Sequence, residues 1–319
     1  MKPMDVAAIG ELLIDFTPGG QPWAYQANPG GAPANLLTQV ARLGGAAGFL
    51  GMVGDDAFGG YLRQTLDAAG VCTGGLLVHP TVHTTLAFVH IDAQGDRSFT
   101  FYRQPGADTQ YSPGQLDYPR IDSARLFHFG GVSMSKSPMR EATLAAAEYA
   151  RAQGKPVSFD PNYRPPLWDS GEEAVRWMRQ GVELCHILKL SQEEAQMLTG
   201  LEDPGQAAQA IRAMGPTLVL VTLGAGGCTC AHPRLSRHFA TYDTRVVDTT
   251  GAGDAFFGAL ISRLLRWDGA LEDLPAPFLE ESISYANAAG ALCAAGYGAI
   301  PSLADDDAIR RCMAEVPLL

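Results

Sequence analysis

Residues 245–265 read RVVDTTGAGDAFFGALISRLL, and this stretch decides the interpretation of the chain. The β-branched and aromatic residues at 242–247 predict a short strand, which polar residues end at 248–250. Gly251, Ala252 and Gly253 form a turn without bulky side chains, and from Asp254 onward apolar residues recur at helical spacing. A helix that begins at such a turn presents free backbone N–H groups and a partial positive charge, which together can bind an anion. Asp254 would stand beside that anion.

The same stretch could be a capped helix in which Asp254 only complements the helix dipole. Two glycines around one alanine, followed at once by an acid, favour a ligand site because they let the backbone approach a ligand closely. The sequence contains no Gly-x-x-x-x-Gly-Lys-Ser/Thr motif, and the turn lacks the third glycine of a dinucleotide-binding fingerprint. Backbone amides would therefore do most of the phosphate binding.

Composition sets the class of protein. The 319 residues are 46% hydrophobic and 18% charged, which is typical of a soluble globular protein with a large core. A net charge of −11 argues against nucleic acid or an anionic membrane surface as a partner. No apolar run approaches the roughly 20 residues that span a bilayer.

The six cysteines are scattered rather than paired, which predicts a reduced, cytoplasmic protein. Cys228-Thr229-Cys230 could suggest a metal site, but its alternating context favours a strand. The seven histidines are equally scattered.

Two further segments could contact a polyhydroxylated ligand. Asp15 lies near the end of an early strand, where it could accept hydrogen bonds from hydroxyls or cap a turn. Gly30 and Gly31 precede an alanine-rich helix, and Asn35 on that helix offers both a donor and an acceptor. Tight helix packing would explain the same glycines equally well.

The rest of the chain alternates strands with helices, which predicts a mostly parallel sheet covered on both faces. Ligands of such sheets bind beyond the carboxyl ends of the strands. The residues expected at that edge are Asp160, Asn162, Arg164, Ser191, Glu194, Gly224 and Asp248. Residues 82–104 instead predict a β-hairpin with its turn at 92–96, and with the alternating residues 12–27 it could form a small lid.

Four motifs in sequence resemble the ribokinase-like, or phosphofructokinase-B-type, carbohydrate kinases over almost the whole chain. They are NPGGAPANLLTQVARLGG with GMVGDDAFG, then KLSQEEAQMLTG, VTLGAGG and DTTGAGDAFFGAL. Within that family, GGAPAN, FYRQPGAD and DPNYRPPLW are most similar to bacterial fructokinases. The resemblance implies one α/β domain over 1–319, a three-layer αβα sandwich with a mostly parallel sheet. It also implies a β-sheet lid at about 12–32 and 82–106 and a homodimer formed through that lid.

The resemblance also implies roles for individual residues. Asp254 is expected to be the catalytic base, beside an anion hole formed by Gly251, Ala252 and Gly253. The expected sugar-binding residues are Asp15, Gly30, Gly31, Asn35, Phe101, Arg103 and Arg164. The expected nucleotide-binding residues are Lys189, Ser191, Glu194, Thr222, Gly224, Gly226, Gly227 and Asn287. Glu194 would act on Mg²⁺ indirectly, and Asp248 with Thr250 would form a site for a monovalent cation such as K⁺.

We therefore expect an ATP- and Mg²⁺-dependent fructokinase that phosphorylates a primary hydroxyl of D-fructose. A helix N-terminus should keep Asp254 ionised and hence a weak base, which is tolerable if the hydroxyl proton moves late. The alternatives are a 2-keto-3-deoxygluconate kinase, in which Arg103 and Arg164 would bind the carboxylate, or another sugar or nucleoside kinase. An inactive sugar- or nucleotide-binding regulator and a dinucleotide-dependent oxidoreductase are more distant alternatives.

Overall fold

A computed structural model describes residues 2–19, 21, 23–91 and 97–319 of the chain. The strands of this part are, in chain order, β1 (Met4–Ile9), β2 (Leu13–Pro18), β3 (Tyr25–Gly30), β4 (Ala47–Gly54), β5 (Val71–His79), β6 (Leu86–Ile91), β7 (Arg97–Tyr102), β8 (Ala124–Gly130), β9 (Val157–Asp160), β10 (Ile187–Ser191), β11 (Leu218–Thr222), β12 (Cys228–His232) and β13 (Leu235–Phe239). The α-helices are α1 (Ala32–Arg42), α2 (Ala57–Ala68), α3 (Tyr118–Ser123), α4 (Met139–Ala152), α5 (Gly171–Leu184), α6 (Gln192–Thr199), α7 (Pro204–Arg212), α8 (Ala252–Leu264), α9 (Ala276–Ala294), α10 (Ala299–Ser302) and α11 (Asp306–Glu315).

Nine of these strands form a central sheet in the order β13-β12-β11-β10-β9-β8-β1-β4-β5. Neighbours from β11 to β5 pair in parallel, while β12 and β13 are antiparallel. Its strands are apolar on both faces, because helices cover both sides. Helices α3 to α7 pack on one face, and α1, α2, α8 and α9 pack on the other. The predicted α/β fold with three layers and a mostly parallel sheet is confirmed.

A second sheet has the order β3-β2-β6-β7 and consists of strands from the two segments predicted for the lid. Its register separates two faces, because successive side chains of a strand point to opposite sides. Asp15 pairs with Ala87, and Ala87 with Phe101, so these side chains share one face. Phe16 and Phe88 share the other. The predicted hairpin turn at 92–96 lies outside the described residues.

The strand predicted at 242–247 is wrong. Within this segment Tyr242 makes one isolated antiparallel bridge to Leu318, and the rest is irregular. The backbone N–H groups of Val247 and Asp248 both donate to the carbonyl of Ala294, at the end of α9. The segment therefore packs against a helix end and not along a strand. In contrast, Cys228 and Cys230 lie buried on β12, as the strand reading of that segment predicts.

Candidate active site

The turn before α8 has the predicted form. Gly251 is the residue that precedes the helix and has φ 78°, a left-handed conformation that favours glycine. A Cβ at Gly251 would overlap the Cβ of Ala299, so a side chain does not fit there. The Asp248 carboxylate accepts hydrogen bonds from the N–H of Thr250 at 2.9 Å and of Gly298 at 3.0 Å. This carboxylate therefore holds the turn against the loop before α10.

A cleft of about 350 Å³ opens on one side of this turn. Its floor comes from the central sheet edge, α1 and the turn, and its roof comes from the lid strands. The lining residues are Glu11, Leu13, Asp15, Gly31, Ala32, Asn35, Val89, Phe99, Phe101, Val132, Asn162, Arg164, Leu167, Lys189, Thr249, Thr250, Gly251, Gly253 and Asp254. Carboxylates, an amide and apolar rings therefore face one space, a combination that suits a sugar.

Asp254 lies in the first turn of α8 and is partly exposed to this cleft. Asn35 donates from Nδ2 to its Oδ2 at 2.8 Å, which orients the carboxylate. Burial, together with the nearby Asp160 carboxylate, raises the pKa of Asp254 from 3.8 to about 6. The low pKa expected from the helix N-terminus is therefore wrong, because removal from solvent and the Asp160 carboxylate outweigh the Asn35 hydrogen bond and the charges of Lys189 and Arg164. Asp254 remains mostly ionised at neutral pH and is a stronger base than expected.

Asp15 faces the same cleft from β2. Burial raises its pKa to about 7, and the carboxylates of Asp254 and Asp248 add to that effect, while Arg164 opposes it. A Cβ at Gly30 would overlap Oδ2 of Asp15, so glycine at this position makes room for the carboxylate. The guanidinium of Arg164 lies 5.6 Å from the centre of the Phe99 ring, which belongs to the lid. Arg164 thus links the sheet edge to the roof of the cleft.

Lys189 places a positive charge directly beside the turn. Its Nζ lies 2.9 Å from Oδ2 of Asp160, and both side chains are buried. Burial alone would lower the pKa of Lys189, but the carboxylates of Asp160, Glu194 and Asp254 raise it above its ordinary value. A Cβ at Gly253 would lie 3.2 Å from this Nζ. Lys189 therefore adds a positive charge beside the backbone amides of the turn.

A second cavity of about 270 Å³ lies on the other side of the turn and meets the cleft at Thr249 and Gly253. It is lined by Thr222, Gly224, Ala225, Gly227, Thr241, Tyr242, Thr244, Val246, Thr249, Ala252, Gly253, Phe256, Asn287, Gly290, Ala291, Ala294 and Leu319. The apolar walls and glycines suit a flat ring system. Two ligands bound in the two cavities would thus meet in front of the N-terminus of α8.

A third cavity, of about 510 Å³, adjoins the cleft at Asn162, Arg164 and Lys189 and contains Asp160, Ser191 and Glu194. Ser191 caps α6, and Glu194 completes a capping box. The two oxygens of Glu194 accept backbone N–H groups of Tyr163 at 2.6 Å and Ser191 at 2.7 Å. Within the described residues, no three His, Cys, Asp or Glu side chains converge as a metal site. A role of Glu194 on a metal would thus be indirect.

Most predicted site residues fall on these cavities. The cleft contains Asp15, Gly31, Asn35, Phe101, Arg164, Lys189, Thr250, Gly251, Gly253 and Asp254. The second cavity contains Thr222, Gly224, Gly227, Ala252 and Asn287, and the third contains Ser191 and Glu194. Gly30, Gly226 and Asp248 are not among the lining residues. Gly30 nevertheless makes room for the Asp15 carboxylate, and Asp248 accepts a hydrogen bond from the N–H of Thr250.

The placement of Arg103 does not support its predicted contact with substrate. This side chain is buried outside the cleft lining and forms an ion pair with Asp108 at 2.7 Å. It also donates to Oγ of Ser135 at 2.7 Å and to the carbonyl of Val132 at 3.3 Å. Arg103 therefore braces the wall behind the cleft. Asp108 is only five residues from Arg103 in the chain, but that spacing alone does not predict an ion pair, and Ser135 becomes a neighbour through folding.

Two cleft residues were given no binding role from sequence, although Asn162 was expected at this edge of the sheet. Asn162 has φ 44°, unusual for a residue with a side chain, and lies between the cleft and the third cavity. Glu11 follows β1 and lies in the cleft wall, 2% exposed. Both residues follow buried strands, and this position in the sequence is the feature from which a place in the site could have been predicted.

Comparisons with known proteins agree with this geometry. The sequence matches the family described as "pfkB family carbohydrate kinase" over residues 4–306. It is 41% identical over 316 residues to Fructokinase-1 of Oryza sativa subsp. japonica, covering 97% of each chain. The fold is similar to a fructokinase from Xylella fastidiosa with bound ATP, at TM-score 0.91 and 34% identity over 98% of each chain.

A fructokinase double mutant from Vibrio cholerae O395, in a form with bound fructose, ADP and potassium ion, is also similar. Its TM-score is 0.89, with 33% identity over 98% of this chain and 99% of the other. None of the helices in the described ranges has the length and apolar character needed to cross a lipid bilayer. The chain belongs to the pfkB family of carbohydrate kinases.

Proposed function

We propose that this pfkB-family kinase transfers the γ-phosphoryl group of ATP to the primary 6-hydroxyl of D-fructose. The observation that carries the proposal is the meeting of two cavities at Thr249 and Gly253, in front of a helix N-terminus and beside Asp254. The sugar would occupy the cleft with the carboxylates, and the nucleotide would occupy the second cavity. Fructokinases among the similar proteins support the choice of sugar.

Asp254 would act as the general base. Its carboxylate accepts the proton of the sugar hydroxyl while the hydroxyl oxygen bonds to the γ-phosphorus and the bond to ADP breaks. Asn35 holds one oxygen of Asp254 and so directs the other into the cleft. Backbone N–H groups of residues 251–253 and the ammonium of Lys189 would stabilise the negative charge that develops on the phosphoryl oxygens. The lid rings Phe99 and Phe101 would exclude water.

A magnesium ion fits this site as a cation that arrives with the nucleotide. Mg²⁺ usually keeps several waters and binds few protein carboxylates, and the third cavity offers Asp160 and the already hydrogen-bonded Glu194. When bound, the metal supplies positive charge to the transferring phosphate. Asp248 and the backbone of Thr250 would hold a monovalent cation that stabilises the turn. Ser191, Thr222, Gly224, Gly226, Gly227 and Asn287 would contact the nucleotide.

The cleft favours a neutral sugar over 2-keto-3-deoxygluconate. Arg103 is committed to Asp108, which leaves Arg164 as the arginine of the cleft lining. Glu11, Asp15 and Asp254 line the same space, and in their ionised forms they would disfavour a sugar acid. Asp15, Gly31 and Asn35 would instead bind hydroxyl groups.

We also propose a homodimer in which the outer faces of two lids pack together. Phe16 stacks on Phe88 with ring centres 4.7 Å apart, and Tyr25 and Tyr102 contact Phe88 edge-on. Tyr102 is 65% exposed, although aromatic rings of this size are usually covered. Phe88→Lys should give monomers in sedimentation velocity while Tyr61→Lys, an exposed aromatic on α2, stays dimeric. Dimers in both variants would exclude this interface.

The test of the proposed activity is a substrate panel. ADP release with ATP and Mg²⁺ should be highest with D-fructose, and the product should carry phosphate on the 6-hydroxyl in a ³¹P–¹H NMR correlation. 2-Keto-3-deoxygluconate, D-ribose and D-glucose serve as comparison substrates. A preference for any of them, measured by kcat/KM, would reject fructose as the substrate.

A further inference from the structure

Glu11 is a buried acid in the wall of the acceptor cleft. It follows β1 at the carboxyl edge of the central sheet, and its residue exposure is 2%. Its Oε1 accepts the N–H of Ala32 at 2.9 Å, the first residue of α1. One oxygen of this carboxylate thus fixes the start of the helix that also carries Asn35.

The other oxygen has no hydrogen-bond partner. Within the described residues, no group donates to Oε2 of Glu11. The neighbouring cation, Arg103, directs its donors at Asp108, Ser135 and the carbonyl of Val132. A buried carboxylate oxygen without a donor is costly, so a donor from outside the protein would explain why this acid is retained. Burial also raises the pKa of Glu11 to about 7, although the backbone N–H groups of Glu11 and Ala32 and the charge of Arg103 oppose the rise.

Helix α1 indicates how far apart Glu11 and Asp254 lie along the cleft. Glu11 contacts Ala32 and Asp254 contacts Asn35, three residues further along α1. Three residues of an α-helix rise about 4.5 Å, roughly the width of a sugar ring. Both acids line one cleft at a spacing that suits a single sugar, although Oε2 of Glu11 is closed to solvent in the ligand-free structure, so a sugar would reach it only as the cleft adjusts around the ligand.

We propose that Glu11 is a substrate-binding residue, whose Oε2 accepts a hydrogen bond from a sugar hydroxyl other than the one that is phosphorylated. This assignment rests on the proposed sugar kinase activity and adds to it a residue that determines specificity. A ligand that reaches Glu11 would displace no existing protein hydrogen bond from Oε2. The Ala32 contact at Oε1 stays in place.

The experiment crosses protein variants with sugars that each lack one hydroxyl. The sugars are D-fructose, 1-deoxy-, 3-deoxy- and 4-deoxy-D-fructose and 2,5-anhydro-D-mannitol, all of which keep the 6-hydroxyl. The variants are wild type, Glu11→Gln and the control Thr38→Val. Gln keeps an oxygen for Ala32 but offers an NH₂ in place of the free oxygen. Thr38 lies on the same helix as Asn35 but is not among the residues that line the cleft. Like Oε2 of Glu11, its Oγ1 is buried and has no hydrogen-bond partner within the described residues.

Wild type should lose about 10- to 100-fold in kcat/KM for the one sugar that lacks the partner hydroxyl, as expected for a hydrogen bond to a charged group. In Glu11→Gln the loss for that sugar should shrink to about 3-fold or less, and losses for the other deoxy sugars should stay as in wild type. Thr38→Val should keep every ratio. Circular dichroism and thermal melting establish that each variant is folded.

Two different results would overturn the proposal, and they distinguish failure of the Glu11 assignment alone from failure of the proposed function. If Glu11→Gln changes kcat/KM by the same factor for every sugar, or not at all, Glu11 serves α1 alone. If wild type turns over none of these sugars, the proposed function fails and the assignment of Glu11 fails with it.

Discussion

Replacing Asp254 with Asn should stabilise the ligand-free protein at alkaline pH while removing most of its activity. Burial and the Asp160 carboxylate raise the pKa of Asp254 from 3.8 to about 6, so the folded state disfavours its ionised form. A shift of about two pKa units corresponds to about 3 kcal/mol in the free energy of unfolding. Because the side chain is partly exposed, solvent screening reduces the expected gain to about 1–3 kcal/mol.

The sign of this effect depends on pH. Above pH 6 the wild-type carboxylate is ionised in both states, and the folded state bears the cost. As pH falls from 6 to 4, protonation of the folded state removes that cost, and below 3.8 both states are neutral. The side-chain amide of the Asp254→Asn variant is neutral throughout, and its oxygen can still accept the hydrogen bond of Asn35. The gain should therefore be largest at pH 8 and vanish near pH 4.

Urea unfolding of ligand-free wild type and Asp254→Asn at pH 8 and pH 4 measures the stability, and coupled ADP detection measures turnover. Loss of a general base should lower kcat by about 10²- to 10⁴-fold. Asp268→Asn, an exposed acid away from the cleft, is the matched control and should change neither quantity. A variant that is no more stable than wild type at pH 8, or equally more stable at both pH values, would refute the electrostatic reasoning. Near-normal turnover would refute the role of base.

A pH profile of wild type and three variants probe the same turn. The kcat/KM of wild type should rise with pH through about 6 and level off above about pH 7, since Asp254 must be ionised, and a flat profile between pH 4.5 and 8.5 would contradict this. Gly251→Ala should abolish activity and lower the melting temperature, because the new Cβ would overlap the Cβ of Ala299. In Gly253→Ala the new Cβ would meet only the flexible end of Lys189, so this variant should mainly raise KM for ATP. Lys189→Met should lower kcat about 10²-fold, because the ammonium no longer stabilises the phosphoryl oxygens. It should also lower the free energy of unfolding in urea titrations by about 3–5 kcal/mol, because Asp160 is left buried without its ion-pair partner. Unchanged kinetics would remove Lys189 from the mechanism.

Local patterns in the sequence were sufficient for the framework of the site. The glycine turn, the start of a helix and the acid in its first turn depend on neighbours within a few residues, and the structure has α8 begin at Ala252 with Asp254 in that turn. The alternation of strands and helices likewise predicts which sheet edge collects polar residues. Asn162 was expected at that edge, but its left-handed conformation and its position between two cavities could not be inferred from the sequence.

The segment 242–247 illustrates where local preference fails. Its β-branched residues suit a strand, but a strand also needs a neighbour with free backbone groups. The structure instead joins Tyr242 to Leu318 and the N–H groups of Val247 and Asp248 to Ala294, so the partners come from the C-terminal part of the chain. The residues of 242–247 alone do not indicate which other segment of the chain packs against them.

The electrostatics of the cleft required the fold itself. Around Asp254 the helix dipole predicts a low pKa, but Asp15, Asp160 and Lys189 reach the same space from three other segments. Burial and Asp160 raise the pKa of Asp254, while Lys189 opposes them, and the balance leaves it near 6. A base of that strength accepts a proton more readily than an ordinary aspartate. Its pKa still lies far below that of a sugar hydroxyl, so in the loose transition state of phosphoryl transfer the proton would move late, after the new bond to phosphorus has begun to form.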